Sequence, residues 1–407
     1  MIYIILSTII TLLIFSDISF YSFIKKYLTK SVLIKRLWIL QTVVAVLIIT
    51  STIIGFTEVK NIETRAFISP LILISILFIL PKIFFLIYWI IGIMPLKIAA
   101  SFKKKKAEPS KINSVIKISS FVGAGISLMI FFSIIYGGTI GINRIVSKDT
   151  SLYYDRLPKS FENLKIVHFS DLHIGGFKNN PDFIERLVKK INDENADIII
   201  FSGDLVNDHA SEIEPYKNIL SNLKSKYGIY SSMGNHDYGP YYRWHSQNEK
   251  KTNIDKVRSL QNYMGWKLLD NSAEFISNGI DSIAVIGVEN WGEPPFSRYG
   301  DLSKAMEDIN SDYFSILISH NPVHWRAEVV DKTNIDLTLS GHTHAMQIEI
   351  GFGNKKISPS SLVYKEWGGI YKSNNQILNV NTGIGFVGFP LRIGATPEIS
   401  VITLHSK

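Results

Sequence analysis

The sequence predicts an α/β domain preceded by an all-α transmembrane region of about four helices. Three observations predict this division. Residues 1–150 carry 17 basic and 5 acidic side chains, whereas residues 151–407 carry 26 basic and 30 acidic ones. The first part consists of long apolar runs, and the second of short apolar runs that alternate with polar helical stretches. All ten histidines lie in the second part. The net charge of +8 therefore belongs to the first part and gives no reason to expect a nucleic-acid partner.

Each apolar run of the first part is close to the roughly 20 residues that a helix needs to cross a bilayer. The runs are Tyr3–Ile24, Leu37–Thr57, Phe67–Met94 and Ile118–Tyr136. Pro81 and Lys82 interrupt the third run, so either Lys82 faces other helices or the run is kinked or re-entrant. The first run has no basic residue before it and no small-residue cleavage site after it, so we expect a retained helix rather than a signal peptide.

Lysine and arginine counts in the connecting segments predict the orientation of these helices. Residues 25–36 hold five such residues, residues 58–66 hold two and residues 97–111 hold six. Because positively charged loops stay in the cytoplasm, we expect the first and third segments there, and both termini outside. The run Lys103–Lys106 is then explained as a topology determinant beside anionic lipid. No aromatic residues interleave these lysines, which disfavours nucleic-acid binding.

We assign residues 1–140 to a multi-pass membrane region, 141–158 to a linker and 159–407 to one α/β domain. The predicted strands are Leu164–Ser170, Asp197–Ser202, Gly228–Met233, Ser282–Val288, Tyr313–Ser319, Ile335–Ser340, Ile377–Val380 and Glu398–Leu404. The predicted helices are Pro181–Asn195, Glu212–Leu223, Ile254–Met264, Leu302–Ile309 and Val323–Val330. Strands that alternate with helices before a β-rich tail predict two packed sheets with helices outside.

Five of the predicted strands end in Asp, Asn or His. The motifs that follow them are Asp171-Leu-His173, Gly203-Asp204, Gly234-Asn235-His236-Asp237, His320 and Gly341-His342-Thr-His344. Each motif alone has a structural explanation as a turn or a helix cap. Together they point to one site, because the carboxyl ends of strands line the ligand crevice of open α/β sheets.

The residue types of these motifs favour a particular kind of metal site. The chain has no cysteine, and oxygen and imidazole ligands without thiolates suit Mn, Fe or Zn. One bridging carboxylate flanked by further ligands on both sides can hold two divalent ions about 3.5–4 Å apart, which clamp a phosphoryl group and lower the pKa of a bridging water. Two such ions would bring more positive charge than Asp171 and Asp204 bring negative charge. The site would therefore be positive, which favours an anionic substrate.

The five motifs, in this order, resemble those of the calcineurin-like metallophosphoesterase superfamily, and the resemblance spans roughly residues 164–404. It implies a four-layer αββα sandwich with two central sheets. It also implies a hydrolase in which a metal-bridging hydroxide attacks the phosphate ester. His236 would contact the phosphate or protonate the leaving oxygen, with Asp237 orienting it.

Seven residues occupy the metal-ligand positions of that superfamily, three for each ion and one shared by both. They are Asp171, His173 and His344 for the first ion, Asn235, His320 and His342 for the second, and Asp204 as the bridge. None of the ligand positions is lost. Asn207 stands where the second motif often has Asp, and Ala345-Met346 replaces a common Gly-Gly.

Motifs in the tail resemble a bacterial branch of membrane or cell-envelope phosphoesterases, some of which cleave the pyrophosphate of a UDP-diacylglucosamine lipid precursor. These motifs are Gly368-Gly-Ile-Tyr371, Asn381-Thr-Gly-Ile-Gly385, Phe389-Pro-Leu-Arg392 and Pro397-Glu-Ile-Ser400. The aromatic segment Tyr238–Trp244 is predicted to face the substrate. The alternatives are a lid packed on its own domain or an aromatic belt near lipid. Three further histidines fit no motif and are expected at the surface or in supporting positions: His209, His245 and His324.

Two functions of different classes follow from the sequence. The first is a membrane-anchored hydrolase of a phosphomonoester, phosphodiester or pyrophosphate, for which the bilayer is a partner and a lipid-linked substrate fits the tethering. The second is a membrane sensor or binding protein that uses a phosphoesterase-like domain for ligand recognition. Loss of metal ligands would favour the second function, and all ligands are present, so the enzyme is favoured.

Overall fold

The computed structural model describes residues 2–28, 32–58, 62–103, 109–178, 180–294, 297–353 and 355–407. Lys30, Lys60 and Lys104–Lys106, which contribute to the predicted orientation, lie outside the described residues. The chain divides into two compact units. One contains Met1–Val59 and Glu63–Gly138, and the other contains Lys60–Ile62 and Thr139–Lys407.

The first unit consists of helices in the part that the structure describes. They are α1 (Ile2–Phe23), α2 (Val32–Glu58), α3 (Ile62–Lys103) and α4 (Pro109–Thr139). All four predicted runs are thus helical. Among the described residues, two stretches are long and apolar enough to cross a membrane, Ile68–Gly92 and Ile112–Asn143. These two correspond to the third and fourth predicted spans, and a region of four spans stays a prediction.

Helix α3 runs through Pro81 and Lys82 without a break. The Lys82 side chain is only 3% exposed. Its Nζ lies 2.9 Å from Asp17 Oδ1 on α1 and donates a hydrogen bond to Thr42 Oγ1 on α2 at 2.7 Å. Lys82 therefore faces other helices, which is the first of the two alternatives that the sequence left open, because a buried ammonium needs polar partners.

The second unit is built on strands and short helices. The strands are β1 (Val146–Tyr154), β2 (Leu164–Phe169), β3 (Ile198–Phe201), β4 (Ile229–Ser231), β5 (Trp266–Leu268), β6 (Ser272–Ser277), β7 (Ser282–Gly287), β8 (Ser315–Ile318), β9 (Leu337–Ser340), β10 (Ile350–Phe352), β11 (Lys355–Ile357), β12 (Gly369–Ser373), β13 (Gln376–Val380) and β14 (Glu398–Ser406). The helices are α5 (Pro181–Asp193), α6 (Lys217–Leu220), α7 (Gln247–Tyr263) and α8 (Leu302–Ala305).

Two six-stranded sheets form the centre of this unit. The first has the order β1-β14-β2-β3-β4-β5 and the second the order β12-β13-β9-β8-β7-β6, while β10 and β11 form a separate hairpin. Neighbouring β2, β3 and β4 are parallel, and so are β7, β8 and β9. The carboxyl ends of parallel strands meet at one edge of a sheet, which is where the five motifs follow.

Side chains along the strands alternate between separate apolar cores, as the two-residue period of a strand requires. Ile166 and Ile200 enter the core that the two sheets share. Val167 and Phe201 enter the core that α5 and α7 cover. Beyond the second sheet, Leu317 packs in a third core that includes side chains of α8 and of the turn Trp325–Val329. Sheets paired face to face with helical segments outside them are the α/β architecture that the sequence predicts.

The predicted linker 141–158 is wrong in its central part, because Val146–Tyr154 forms β1 and pairs in parallel with β14 at the edge of the first sheet. Leu152 and Tyr154 are buried in the core between the sheets. Residues 147–151 of β1 are polar and half-buried or exposed, so the segment lacks the apolar run by which the other strands were found.

Several helix boundaries also differ from the sequence prediction. The predicted Glu212–Leu223 contains only the four-residue α6, and Leu302–Ile309 only the four-residue α8. Helix α7 begins at Gln247, because Ser246 Oγ caps it by accepting a hydrogen bond from the Glu249 N–H. Strands β5 and β6 were not predicted, and β10, β11 and β12 were expected only as part of a β-rich tail.

Candidate metal centre

The first group of candidate ligands lies at the ends of β2 and β9. His344 Nε2 lies 3.1 Å from His173 Nε2 and 3.2 Å from Asp171 Oδ1. All three residues are buried. Ligand atoms of these residues lie within 4.8 Å of one another, which is close enough to share one ion.

The second group lies at the ends of β3, β8 and β9. Asp204 Oδ2 lies 3.2 Å from His320 Nε2, and one ligand atom each of Asp204, His320 and His342 lie within 4.8 Å of one another. Asp204 Oδ2 is also 3.6 Å from His173 Nε2. The carboxylate of Asp204 therefore borders both groups.

The distances within these groups are those of ligands around a common ion. Ligand atoms about 2.1 Å from a tetrahedral ion are separated from one another by about 3.4 Å. Among the described residues, His320 Nε2 and Asn235 Oδ1 are buried without a hydrogen-bond partner. A cation held by Asp204, His320 and His342 would give His320 Nε2 a partner, so the residues present fit a divalent metal ion.

His320 gives the clearest indication that a positive charge belongs here. Its Nδ1–H donates a hydrogen bond to the Ser202 carbonyl at 2.7 Å, so the Nε2 of the neutral ring carries a lone pair. This lone pair faces the Asp204 carboxylate. Burial by itself lowers the pKa of His320, but the two carboxylates Asp204 and Asp171 raise it to about 9. A proton on His320 Nε2, or a metal ion bound to it, would make its contact with the Asp204 carboxylate favourable.

Asp171, Asp204 and His342 are in the ionisation states that a metal ion requires. Burial would raise the pKa values of Asp171 and Asp204, but the imidazoles of His344 and His320 hold them well below the usual range. Burial lowers the pKa of His342 to about 3, and the charge of His320 acts in the same direction. Ionised carboxylates and a neutral His342 are therefore available at neutral pH.

The backbone around the site is held in unusual conformations. Five candidate ligands have a positive φ: Asp171, His173, Asp204, His342 and His344. Left-handed conformations at residues other than glycine are uncommon, and they concentrate at functional sites. Gly234 is needed because a Cβ there would come within 2.2 Å of Asp204 Oδ1. The motif glycines thus leave room for the ligand side chains.

His236, the predicted catalytic residue, lies beside the two groups. Its ring centroid is 4.6 Å from that of His173, and one ligand atom each of His173, Asp204 and His236 lie within 4.8 Å of one another. The Nδ1–H of His236 donates a hydrogen bond to the Asn207 carbonyl at 2.7 Å. This bond leaves Nε2 as the ring nitrogen that can accept or donate a proton at the site.

The expectation that Asp237 orients His236 is wrong. The carboxylate of Asp237 instead accepts hydrogen bonds from the N–H groups of Asp204, Leu205, Val206 and Gly234, at 2.8 to 3.2 Å. Burial raises the pKa of Asp237 to about 7, and the N–H donors oppose that rise. Asp237 therefore fixes the turn that carries Asp204.

The Asn207 carbonyl orients His236, and a buried carboxylate supports it. Glu212 accepts hydrogen bonds from the N–H groups of Asn207, Asp208 and His209, at 2.7 to 3.2 Å. Because the side chain of Asn207 is not used for this bond, the change from Asp to Asn at that position leaves the orientation of His236 intact.

Sequence reasoning missed two side chains that contact the candidate ligands. The Tyr364 hydroxyl lies 3.1 Å from His342 Nε2. Arg392, fully buried, has its Nη2 3.2 Å from His344 Nδ1 and donates to the carbonyls of Thr382, Gly385 and Ala395. Arg392 lies in one of the tail motifs, which could have indicated it, whereas no sequence pattern marks Tyr364.

The aromatic segment Tyr238–Trp244 packs mostly on its own domain. Tyr238 is buried, and Trp244 stacks on His209 with ring centroids 5.6 Å apart. Tyr241 is the exception. Its ring centroid is 4.7 Å from that of His236 and its side chain is half exposed. Tyr241 is therefore the aromatic residue of the segment that lies against His236.

Two of the three histidines outside the motifs have evident structural roles. His209 caps a short 3₁₀ turn through its side chain, and His324 is buried between Ser319 Oγ at 2.8 Å and Glu328 Oε2 at 3.1 Å. His245 is exposed.

Comparison with known proteins gives matches to one family. The model of the calcineurin-like phosphoesterase family matches residues 164–346. An uncharacterized metallophosphoesterase of Helicobacter pylori J99 is 31% identical over 272 residues, which cover 66% of this chain and 66% of that protein. The chain thus spans just under two thirds of this relative.

Two further relatives extend the comparison. The metallophosphoesterase YkuE of Bacillus subtilis is 31% identical over 262 residues, which cover 61% of this chain and 82% of that protein. A zebrafish (Danio rerio) protein named as a transmembrane protein with metallophosphoesterase domain is 28% identical over 264 residues, covering 63% of this chain and 56% of that protein.

Proposed function

Since the chain belongs to the calcineurin-like phosphoesterase family, we propose that it hydrolyses a phosphate ester with two divalent metal ions. The observation that carries the proposal is the position of Asp204 Oδ2, 3.6 Å from His173 Nε2 and 3.2 Å from His320 Nε2. One carboxylate shared by two groups of ligands is the arrangement that two neighbouring ions need.

The proposed ligands divide between the two ions as the motifs suggest. Asp171, His173 and His344 would hold the first ion, Asn235, His320 and His342 would hold the second, and Asp204 would be shared between them. Oxygen and imidazole ligands suit Mn, Fe or Zn. When bound, two such ions polarise the phosphoryl oxygens and lower the pKa of water.

The chain's own residues would do the remaining work. His236 Nε2 is placed to donate a proton or a hydrogen bond, because its Nδ1–H is engaged with the Asn207 carbonyl. With two divalent ions bound, the site would stay positive despite the charges of Asp171 and Asp204, and it would attract the negative charge of a phosphomonoester, phosphodiester or pyrophosphate.

We further propose that the first unit anchors the enzyme as a multi-pass membrane region with the catalytic domain on the extracytoplasmic side. Two stretches long and apolar enough to span a bilayer support the anchoring. The name of the zebrafish relative, a transmembrane protein with a metallophosphoesterase domain, supports it too. Tethering to the bilayer makes a lipid-linked phosphate ester the preferred substrate class.

The test is hydrolysis by the purified full-length protein. With Mn²⁺ it should hydrolyse bis-p-nitrophenyl phosphate or p-nitrophenyl phosphate, and chelation should abolish the reaction. A panel of Mn²⁺, Fe²⁺ and Zn²⁺ identifies the ion that supports it. A folded protein that contains metal and hydrolyses neither ester with any of these ions would contradict the proposal.

Asp204→Asn tests the shared ligand. It should lower activity by at least about 100-fold and reduce the bound metal, because loss even of a residue that only supports a ligand costs 10- to 100-fold. His245→Ala changes an exposed histidine outside the motifs and is the control. Equal effects of the two substitutions would rule out the assignment of Asp204.

A further inference from the structure

Exposed apolar side chains are concentrated in residues 346–363, a stretch that we call the apolar segment. After residue 138, the part of the chain that the structure describes has eight exposed aliphatic or methionine side chains, and five of them lie here. These five are Met346, Ile350, Ile357, Leu362 and Val363. Single exposed apolar residues are normal on proteins, whereas a concentration of them marks an interaction surface.

The local structure presents these side chains together in two places. Ile350 and Ile357 are cross-strand partners in the hairpin of β10 and β11, so they lie on the same face. Leu362 and Val363 are consecutive at the end of the short turn Pro359–Leu362. Leu362 is 89% exposed, the largest value among the apolar side chains of this unit that the structure describes.

Two polar contacts connect the apolar segment and its next residue, Tyr364, to the candidate metal centre. Ser358 Oγ donates a hydrogen bond to the Ala345 carbonyl at 2.5 Å, next to the ligand His344. Tyr364, which directly follows Val363, places its hydroxyl 3.1 Å from His342 Nε2. Whatever the apolar segment contacts is therefore held close to the proposed site of hydrolysis.

The apolar segment carries two lysines and one acidic side chain, although residues 151–407 as a whole are acidic. Lys355 and Lys356 in the segment, and Lys365 just after it, are exposed. The one acidic side chain between 346 and 363, Glu349, is paired with Lys356 at 2.9 Å. Apolar side chains flanked by lysines are complementary to a lipid surface that carries negative head groups.

We propose that the apolar segment docks onto the surface of an anionic lipid bilayer and seats the metal centre at the head groups. The bilayer is the preferred occupant because the same chain carries helices apolar enough to insert into one. A second copy fits less well, since a two-fold contact through this surface would bring its lysines toward those of the copy.

The docking does not rest on the proposed hydrolysis, but it adds a reason for a lipid-linked substrate. A surface that holds the site at the head groups presents lipid phosphate esters at a high local concentration. Docking would not raise the local concentration of soluble phosphate esters at the site.

The absence of cysteine makes a direct test simple, because a single introduced thiol can be labelled. Full-length Leu362→Cys protein is labelled with an environment-sensitive fluorophore and reconstituted into nanodiscs of phosphatidylcholine and phosphatidylglycerol, at one chain per disc. We expect a blue-shifted emission that spin-labelled lipid quenches. Ile280→Cys is the matched control, since Ile280 is 83% exposed in the turn between β6 and β7, and its label should stay water-like and unquenched.

The outcomes separate the possible occupants. Water-like emission from the Leu362→Cys label overturns the proposal. A blue shift without quenching by lipid also overturns it and indicates contact with protein. Neither result depends on metal or on hydrolysis, so an inactive enzyme and a failed docking surface are distinguishable.

A second variant tests the part played by charge. Lys355→Gln together with Lys365→Gln, in the Leu362→Cys background, should reduce quenching at least two-fold in discs that contain phosphatidylglycerol. The control pair is Lys304→Gln with Lys372→Gln, which removes two exposed lysines outside the segment. Equal quenching in both pairs would overturn the anionic-lipid part of the proposal.

Discussion

Gly341 lies between side chains of the candidate metal centre. A Cβ at this position would come within 2.2 Å of Asp171 Oδ2 and 2.4 Å of Ser170 Oγ. Gly341→Ala should therefore displace Asp171 and lower the affinity for the first metal ion, by about 10- to 100-fold, as loss of a ligand-orienting contact does. Equilibrium dialysis against Mn²⁺ measures the change.

Gly351→Ala is the matched control for this substitution, because a Cβ there would meet nothing within 4 Å. It should leave Mn²⁺ affinity unchanged. If the two alanine variants bind Mn²⁺ equally well, Asp171 is not a ligand or is not held by the contact that we describe.

His168 connects the site to the pH dependence of stability. It is fully buried, with Nε2 2.9 Å from Ser202 Oγ and Nδ1 2.9 Å from Asn379 Nδ2. The amide N–H of Asn379 needs an acceptor, so the neutral ring fits and a second proton would not. Burial lowers the pKa of His168 from 6.5 to about 4.

A lowered pKa means that the unfolded chain binds the proton more tightly than the folded chain does. The stabilisation is fully present above about pH 6.5 and is lost as the pH falls toward 4, by up to about 3 kcal/mol. Denaturant unfolding of the full-length protein, followed by tryptophan fluorescence, should show a shallower dependence on pH in this range for His168→Gln. His245→Gln, at an exposed histidine, should keep the original dependence, and a His168→Gln profile parallel to it would refute the assignment.

Much of the site could be predicted from single residues because metal ligands come from few residue types. Asp171, His173, Asp204, His320, His342 and His344 follow strand ends in the sequence, and the structure brings them together. The supporting contacts could not be predicted. The Asn207 carbonyl and the Tyr364 hydroxyl contact His236 and His342 only because the folded backbone brings them close. The positive φ values of the ligands have no sequence signature apart from nearby glycines.

Strands were predictable where they are buried on both faces. β2, β3, β8 and β9 are buried along almost their whole length, and each lies within its predicted range. β1 was missed because it is an edge strand with polar, half-buried residues in its first half. Its partner β14 is more than 240 residues away, and no local pattern reports such a pairing.

The edge strand β1 can be tested by adjacent substitutions. Leu152 is buried between the sheets, whereas the neighbouring Tyr153 is exposed. Leu152→Ala should destabilise the protein by about 2–5 kcal/mol, the usual cost of truncating a buried leucine. Tyr153→Ala should cost less than about 1 kcal/mol, mainly through its ring contact with His405. Denaturant unfolding measures both, and similar values would mean that residues 146–154 behave as a linker.

The composition correctly separates an apolar helical part from an α/β part. The first part has long apolar runs, whereas the second alternates short apolar runs with polar stretches. The four apolar runs are helices, and the interaction of Lys82 with Asp17 and Thr42 explains how a charged residue is accommodated among them. The helical structure alone does not give the number of helices that cross the bilayer. Length and apolarity support two of them in the part of the chain that the structure describes.

The orientation of the whole molecule is the prediction that most affects its proposed function. Residues 25–36, 58–66 and 97–111 of the connecting segments hold five, two and six basic residues, so the first and third segments are expected in the cytoplasm and the carboxyl terminus outside. Alkaline phosphatase fused after Lys407 should therefore be active, because it folds only outside the cytoplasm, and green fluorescent protein at the same place should be dark. The opposite pattern would reverse the orientation and put the catalytic domain in the cytoplasm. Replacing the basic residues of the 24–37 segment by glutamine should weaken alkaline phosphatase activity, since loops are retained in the cytoplasm by their positive charge.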